Sequence, residues 1–228
     1  RGLDPHVRLK PSGIDWLGEV PAHWAVISLG RILEGVEQGW SPVAAEGVLA
    51  EDQWAVLTLS AVNRGRFNAE ALKPIPRFAE IPAAYRVSHG DLLLTRSNTR
   101  DRVADVCLAT KPRPRTIISD LIYRLTLRDS VADPQFVMFQ LLSRAGRDQI
   151  ERDARGSSRT MPKIAQRHIR SWKVLLPPLA EQRHVAAELH SATQKIDELI
   201  RSAEREASLL HEYRTRLVTD VVTGKLDV

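Results

Sequence analysis

The sequence predicts an α+β fold: a globular mixed α/β domain followed by a long C-terminal coiled-coil helix. Three observations carry this. Short β-branched and aromatic runs, such as WAVISL (residues 24–29), WAVLTL (54–59) and TIISDLIYRLTL (116–127), alternate with turn signals through the first half of the chain. A proline-initiated amphipathic stretch, PQFVMFQLLSRAGRDQIERDA (134–154), follows them. The last fifth, opening with LPPLAEQRHVAAELH (176–190), then runs to Gly224 with heptad spacing and no glycine or proline after Pro178.

In chain order, residues 1–11 read as a linker, 12–176 as the globular domain, 177–224 as the helix and 225–228 as a tail. WAVISL and WAVLTL are strands, and LGRILEGV (29–36) between them reads as a single short helix. GDLLLTRS (90–97) is a turn leading into a buried apolar run, and VADVCLAT (103–110) is a further strand, closed by the loop KPRPR (111–115). Pro134 stands at or near the first helical position, where its missing N–H costs nothing. One amphipathic helix is expected from there to residue 154, then the polar loop RGSSRT (155–160), a short helix near 163–170 and the strand WKVLL (172–176). In the final helix the a and d positions are Val185, Leu189, Ala192, Ile196, Leu199, Ala203, Glu206, Leu210, Tyr213 and Leu217, nine of the ten apolar or aromatic. Val185, Leu189, Ile196, Leu199, Leu210 and Leu217 form the expected seam with a partner helix. Its opposite face carries charges such as Glu188, Lys195 and Arg201 and so faces water. Gly224 is placed to end it in a left-handed cap.

A hydrophobic share of 43% in 228 residues is ordinary for a globular chain. No run approaches the roughly 18 uncharged apolar residues that a membrane span needs, so no membrane association is expected. The opening RGLDPHVRLKPSG lacks the apolar core of a signal peptide, and the single Cys107 has no internal disulfide partner, so a cytoplasmic location is expected. Charge is uneven: residues 96–170 hold 16 Lys/Arg against 8 Asp/Glu, whereas 177–228 hold 7 against 9. A basic middle joined to a slightly acidic rod suits a chain whose middle meets a polyanion, and an Arg-rich solvated surface gives the same numbers. Catalytic signatures are missing. The one double proline lies in LPPL, with no polar group to hold a flipped base amine, and TGKLD lacks the spacing and hydroxyl of a phosphate loop. His23, His89, His168, His184 and His190 are scattered without zinc spacing. A non-enzymatic binder without cofactor or metal is expected.

Residues 11–223 resemble one repeat of the specificity subunit of type I restriction-modification enzymes. The resemblance rests on SGIDWLGEVPAHW (12–24), GDLLLTRSN (90–98), MPKI (161–164) and LPPLAEQRHVAAEL (176–189), in the family's order. It implies that residues 12–176 are a target recognition domain reading half of a bipartite double-stranded DNA site. Residues 177–224 are then the conserved spacer helix, which packs antiparallel against a second such helix. Methyltransferase subunits, and through them a restriction subunit, are the implied partners. The opening RGLDPHVRLKPSGIDWLG resembles the joint between two repeats and VVTGKLDV echoes it, which points to the C-terminal half of a longer subunit. A natural single-repeat subunit that homodimerises is the alternative on this point. An autonomous homodimeric DNA-binding regulator without enzyme partners, and a coiled-coil scaffold with an incidental basic surface, remain as readings from other classes.

DNA contacts are expected from four basic or hydroxyl-bearing loops. TRSNTRDR (95–102) offers Arg96, Asn98, Arg100 and Arg102 at the end of an apolar strand. Arginine matches guanine O6/N7 and asparagine adenine N6/N7, while hydroxyls suit phosphates. KPRPR offers Lys111, Arg113 and Arg115 on a proline-stiffened loop. RGSSRTMPK (155–163) places Ser157, Ser158 and Thr160 among Arg155, Arg159 and Lys163. EQGWSPVAAE (37–46) offers Gln38 and Ser41, with Trp40 reading as a loop anchor.

Overall fold

A computed structural model describes residues 6–43, 47–76, 81–154 and 161–225. The chain divides into two compact units, residues 1–186 and 187–228.

The first unit is built on a four-stranded antiparallel sheet in the spatial order Val106–Leu108, Leu92–Thr95, Ile122–Leu127, Leu33–Gln38. The run Leu92-Leu93-Leu94 explains why this strand shows no alternation. Leu92 and Leu94 face one buried cluster, with Val106, Tyr123 and Leu125, while Leu93 faces another, with Cys107 and Ile122. Successive side chains point to opposite faces, so a strand covered on both sides reads as a continuous apolar run. A three-stranded sheet of Thr116–Ile117, Ala55–Leu57 and Leu72–Pro74 lies beside it in sequence and closes a smaller cluster of Val56, Ile75 and Ile117, capped by Trp40, Trp54 and Tyr85.

LGRILEGV is not a helix. Its apolar spacing at 29, 32, 33 and 36 fits a helical period, yet a 3-10 turn over Leu29–Arg31 leads into the strand Leu33–Gln38. Gly30 and Gly35 weaken a helix there, and a Cβ at Gly30 would lie 3.0 Å from the Arg170 carbonyl oxygen. Strand pairing with Leu125 and Leu127, through a register shift at Thr126/Leu127, buries the same side chains. Nor are residues 1–11 all linker, since Leu9–Pro11 pairs antiparallel with Glu19–Pro21.

Four helices follow the sheets: α1 (Pro134–Leu142), α2 (Arg144–Ala154), α3 (Gln166–Ser171) and α4 (Leu179–Val222). The single helix expected over 134–154 is thus two. Asp133 caps α1 by accepting from Phe136 N at 2.9 Å, with Pro134 inside the first turn. Ser143 then leaves the helical region at ψ 159°. Its Oγ accepts from Gly146 N at 3.1 Å, so the same serine starts α2. Gly146 is required there, because a Cβ would stand 2.2 Å from the Gln140 carbonyl oxygen.

Two glutamines tie these helices to the strand Lys173–Leu176, whose other edge pairs with Ala25–Ser28. Gln140 bonds both the N–H and the carbonyl of Leu175, at 2.6 and 2.7 Å, and Gln149 does the same for Lys173 at 2.8 and 3.0 Å. Each amide takes the place of a neighbouring strand.

The base of α4 belongs to this first unit, two turns beyond the expected domain boundary. Gln182 is fully buried; its Oε1 accepts from Asp133 N at 2.9 Å and its Nε2 donates to the carbonyls of Val131 and Pro177, each at 2.9 Å. Glu181 accepts from Trp24 Nε1 at 3.0 Å, and its other oxygen lies 2.8 Å from His23 Nε2. Ala186 and Val185 pack with Trp24 and Phe136. Val185, expected on the seam, is thus partly buried against the first unit. The second unit is the remainder of α4, closed at Gly224 (φ 68°) with Lys225 N donating to the Asp220 carbonyl at 2.8 Å. No helix among the described residues is long and apolar enough to cross a membrane.

Candidate nucleic-acid interface

Two of the four expected loops meet at one turn, Ser119–Asp120–Leu121, that sequence reasoning did not single out, and a third joins them through Arg96 and Ser97. Gln38 donates from Nε2 to the Asp120 carbonyl at 3.1 Å, and Ser41 Oγ accepts from Asp120 N at 3.2 Å. Arg96 N donates to the Leu121 carbonyl at 2.7 Å. On the other side of Arg96, its carbonyl accepts from Ile164 N at 2.9 Å, and Ser97 pairs with Lys163 in an isolated bridge. Gly39 permits the closure, since a Cβ would lie 2.2 Å from the Ile118 carbonyl oxygen and 2.4 Å from that of Ser119. Gln38, Ser41, Arg96, Asp120 and Lys163 thus share one edge of the unit. Among the described residues no hydrogen bond or ion pair engages the Asp120 carboxylate, and the buried hydroxyl of Ser119 has no partner. Residues 155–160, with Arg155, Ser157, Ser158, Arg159 and Thr160, lie outside the described residues.

The loop after Arg96 rests on a buried charge network. Thr95 Oγ1 donates to the Arg102 carbonyl at 3.0 Å and accepts from Asp105 N at 3.0 Å. Both Asp105 carboxylate oxygens lie 2.9 Å from Arg64 N, and one also accepts from Val106 N. Burial pushes the Asp105 carboxyl above its ordinary range against these bonds and against the nearby Arg147 and Arg102. Arg147, its own pKa lowered by burial, holds the carbonyls of Val103 and Asp101 at 2.9 and 3.2 Å. Arg102 is drawn into the same network through Asn63 and Asp105, so its guanidinium is engaged by the fold. Asn98 Oδ1 accepts from Thr99 N at 2.8 Å, and Arg100 stands exposed at the loop tip.

KPRPR does not join this edge. Arg113 donates to the carbonyls of Gln53, Ala50 and Glu51 at 2.8, 2.6 and 2.6 Å, and Arg115 to that of Asp52. These guanidiniums brace the turn before the strand Ala55–Leu57. Lys111 is exposed, with its N–H 3.4 Å from His89 Nδ1. The sequence shows their charge but not that free carbonyls await two of the three. Trp40 packs against Tyr85, ring centroids 6.1 Å apart, as a loop anchor. Cys107 is buried and its thiol is pushed up by desolvation. No group of three or more His, Cys, Asp or Glu among the described residues is arranged to hold a metal ion.

No protein-family model matches the chain. The specificity subunit of the type I restriction enzyme EcoEI from Escherichia coli is 30% identical over 182 residues, which make up 79% of this chain and 31% of that subunit. The chain is a homologue of the type I restriction specificity subunits. That of the type I enzyme MjaVIII from Methanocaldococcus jannaschii is 23% identical over 235 positions, taking in 100% of this chain and 51% of the relative. Among solved structures, the HsdS subunit from Thermoanaerobacter tengcongensis superposes with a TM-score of 0.57 at 18% identity, covering 84% of this chain and 48% of that one. The S subunit from M. genitalium gives 0.57 at 14%, covering 95% and 47%. A chain from a type I restriction-modification assembly gives 0.60 at 19%, covering 88% and 46%. These likenesses establish the specificity-subunit fold, and the chain spans about half the length of each structural neighbour. Within that fold the PPLAEQ stretch has a plain physical role: Glu181 and Gln182 fasten the root of α4 to the globular unit.

Proposed function

We propose that this chain is a non-catalytic, sequence-reading module of a type I restriction-modification system. In this reading residues of the first unit contact one half of a bipartite DNA target, and α4 with its 179–183 head docks methyltransferase subunits and, through them, a restriction subunit. The observation that carries the proposal is the convergence of Gln38, Ser41, Arg96 and Lys163 on one edge, in a homologue of specificity subunits. Amide, hydroxyl and cationic groups side by side suit a surface that positions on phosphates and reads base edges.

The test is co-expression with a methyltransferase subunit of a type I system from the same source, followed by mapping of genomic methylation with and without the chain. A co-purifying methyltransferase and a methylated motif that disappears with the chain are the expected results. DNA binding with no associated methyltransferase and no change in methylation would instead favour an autonomous regulator.

A further inference from the structure

A cleft of about 380 Å³ opens where the end of the strand Leu92–Thr95 meets residues 163–168. Its walls come from elements distant in sequence: Arg96 and Tyr123 from the central sheet, Asp153 from α2, and Lys163 and Arg167 from the segment entering α3. Hydrogen bonds fix these walls against each other. Ile164 N donates to the Arg96 carbonyl at 2.9 Å, Ser97 pairs with Lys163, and Tyr123 Oη donates to the Ile164 carbonyl at 3.3 Å. Three cations, Arg96, Lys163 and Arg167, face one carboxylate. That carboxylate, Asp153, accepts from the buried Trp172 indole N–H at 2.7 Å. Among the described residues no ion pair engages Arg167, whose side chain is exposed at the rim. The cleft also adjoins the Asp120 turn, since Arg96 Nη1 lies 3.5 Å from the Asp120 carbonyl oxygen.

We propose that this cleft seats one phosphodiester of the DNA backbone, with Arg167 as an anchoring residue that Arg96 and Lys163 assist. The proposal rests on the DNA reading given above and names where the backbone enters. Guanidinium forks match phosphate oxygens in pairs, and an excess of positive charge in a partly desolvated cleft favours an anion. A base is a poorer occupant: of the two rings in the wall, Tyr123 is buried and offers no face for stacking, and His168 is only half-exposed, with its Nδ1 enclosed. Exposed Lys163 and Arg167 leave the rim open, as a continuous polymer requires. Once seated, the phosphate sets the register of the Gln38–Ser41–Asp120 edge against the bases.

The test measures binding of the full chain to a generic duplex and to its methylated-motif duplex across a salt series. Arg167→Gln, an exposed change that leaves the fold intact, is expected to weaken both duplexes alike and to lower the slope of log K against log salt by about one. Asp153→Asn, which keeps an acceptor for Trp172, is expected to tighten both. Salt-dependent binding by the unaltered chain with an unchanged slope in Arg167→Gln and Arg96→Gln overturns the cleft and leaves the DNA reading standing. Inorganic phosphate, titrated by calorimetry, separates a small-anion pocket: loss of phosphate binding in Arg167→Gln without any change in the DNA slope also overturns the proposal. No salt-dependent DNA binding by the unaltered chain sinks the DNA reading and the cleft together.

Discussion

Arg113 and Arg96 carry the same side chain, and the fold gives them opposite work. Arg113 donates three short bonds to the carbonyls of residues 50, 51 and 53, a charge-assisted brace. Among the described residues Arg96 reaches only one carbonyl, at 3.5 Å, and it lines an open cleft. Arg113→Ala is therefore expected to cost about 2 kcal/mol of stability, the range for hydrogen bonds to charged groups, while leaving the salt dependence of DNA binding unchanged. Denaturant melts together with a salt series check this. A flattened slope at undiminished stability would return KPRPR to the DNA surface.

At the scale of elements, side-chain amides hold together what the backbone ladder does not. Gln140 and Gln149 complete the strand Lys173–Leu176, and Gln182 fastens α4 to the N-cap of α1. Gln182→Leu keeps the volume but leaves Asp133 N and two carbonyls without their partner in a dry site. At about 1–3 kcal/mol for each unsatisfied group, offset by relaxation, the loss should be about 3 kcal/mol or more. Glu181→Gln keeps an acceptor for Trp24 and should cost far less. Equal, small shifts in the unfolding midpoint for both variants would refute the anchor.

At the scale of the whole molecule, the second unit is a helix with an exposed apolar face. Ile196, Leu199 and Leu210 are 54%, 71% and 61% exposed, and Leu189 and Leu217 are also exposed. Tyr213 on the same seam is exposed too, and Ile200, Leu209 and Val218 widen the stripe beyond a strict a/d seam. Burying one such side chain fully is worth about 1.5–3 kcal/mol, so five outweigh the exposed Glu206 on the same seam. Expressed alone, the chain is expected to form a two-fold dimer through residues 189–217, supplying itself with the helix that a second repeat would provide. Ile196→Asp with Leu199→Asp should give a monomer whose first unit still melts cooperatively. Light scattering at tens of micromolar decides it: a monomeric unaltered chain would disprove the seam.

Much of this was legible in order of residues alone. The apolar run Leu92–Leu94, the proline-led α1 and the heptads of α4 are local patterns, and each depends on periods of two or 3.6 residues that a sequence displays directly. The PPLAEQ motif was legible as a family mark, but its task was not, because Gln182 meets Asp133 across 49 residues of chain. The break at Ser143 was hidden inside a continuous amphipathic pattern, and the helical spacing of residues 29–36 was satisfied by a turn and a strand instead. Charge showed that the middle of the chain is basic, and only tertiary structure separated the arginines that brace carbonyls from those that line the cleft. The reason is physical. Composition counts donors, whereas free donors are what remains after long-range hydrogen bonds have formed, and those depend on which carbonyls the folded chain brings within 3 Å or so. The Asp120 turn and Arg167 escaped notice on the same ground: neither lies in a marked loop, and both matter because distant strands deliver Gln38, Ser41, Arg96 and Lys163 to their side.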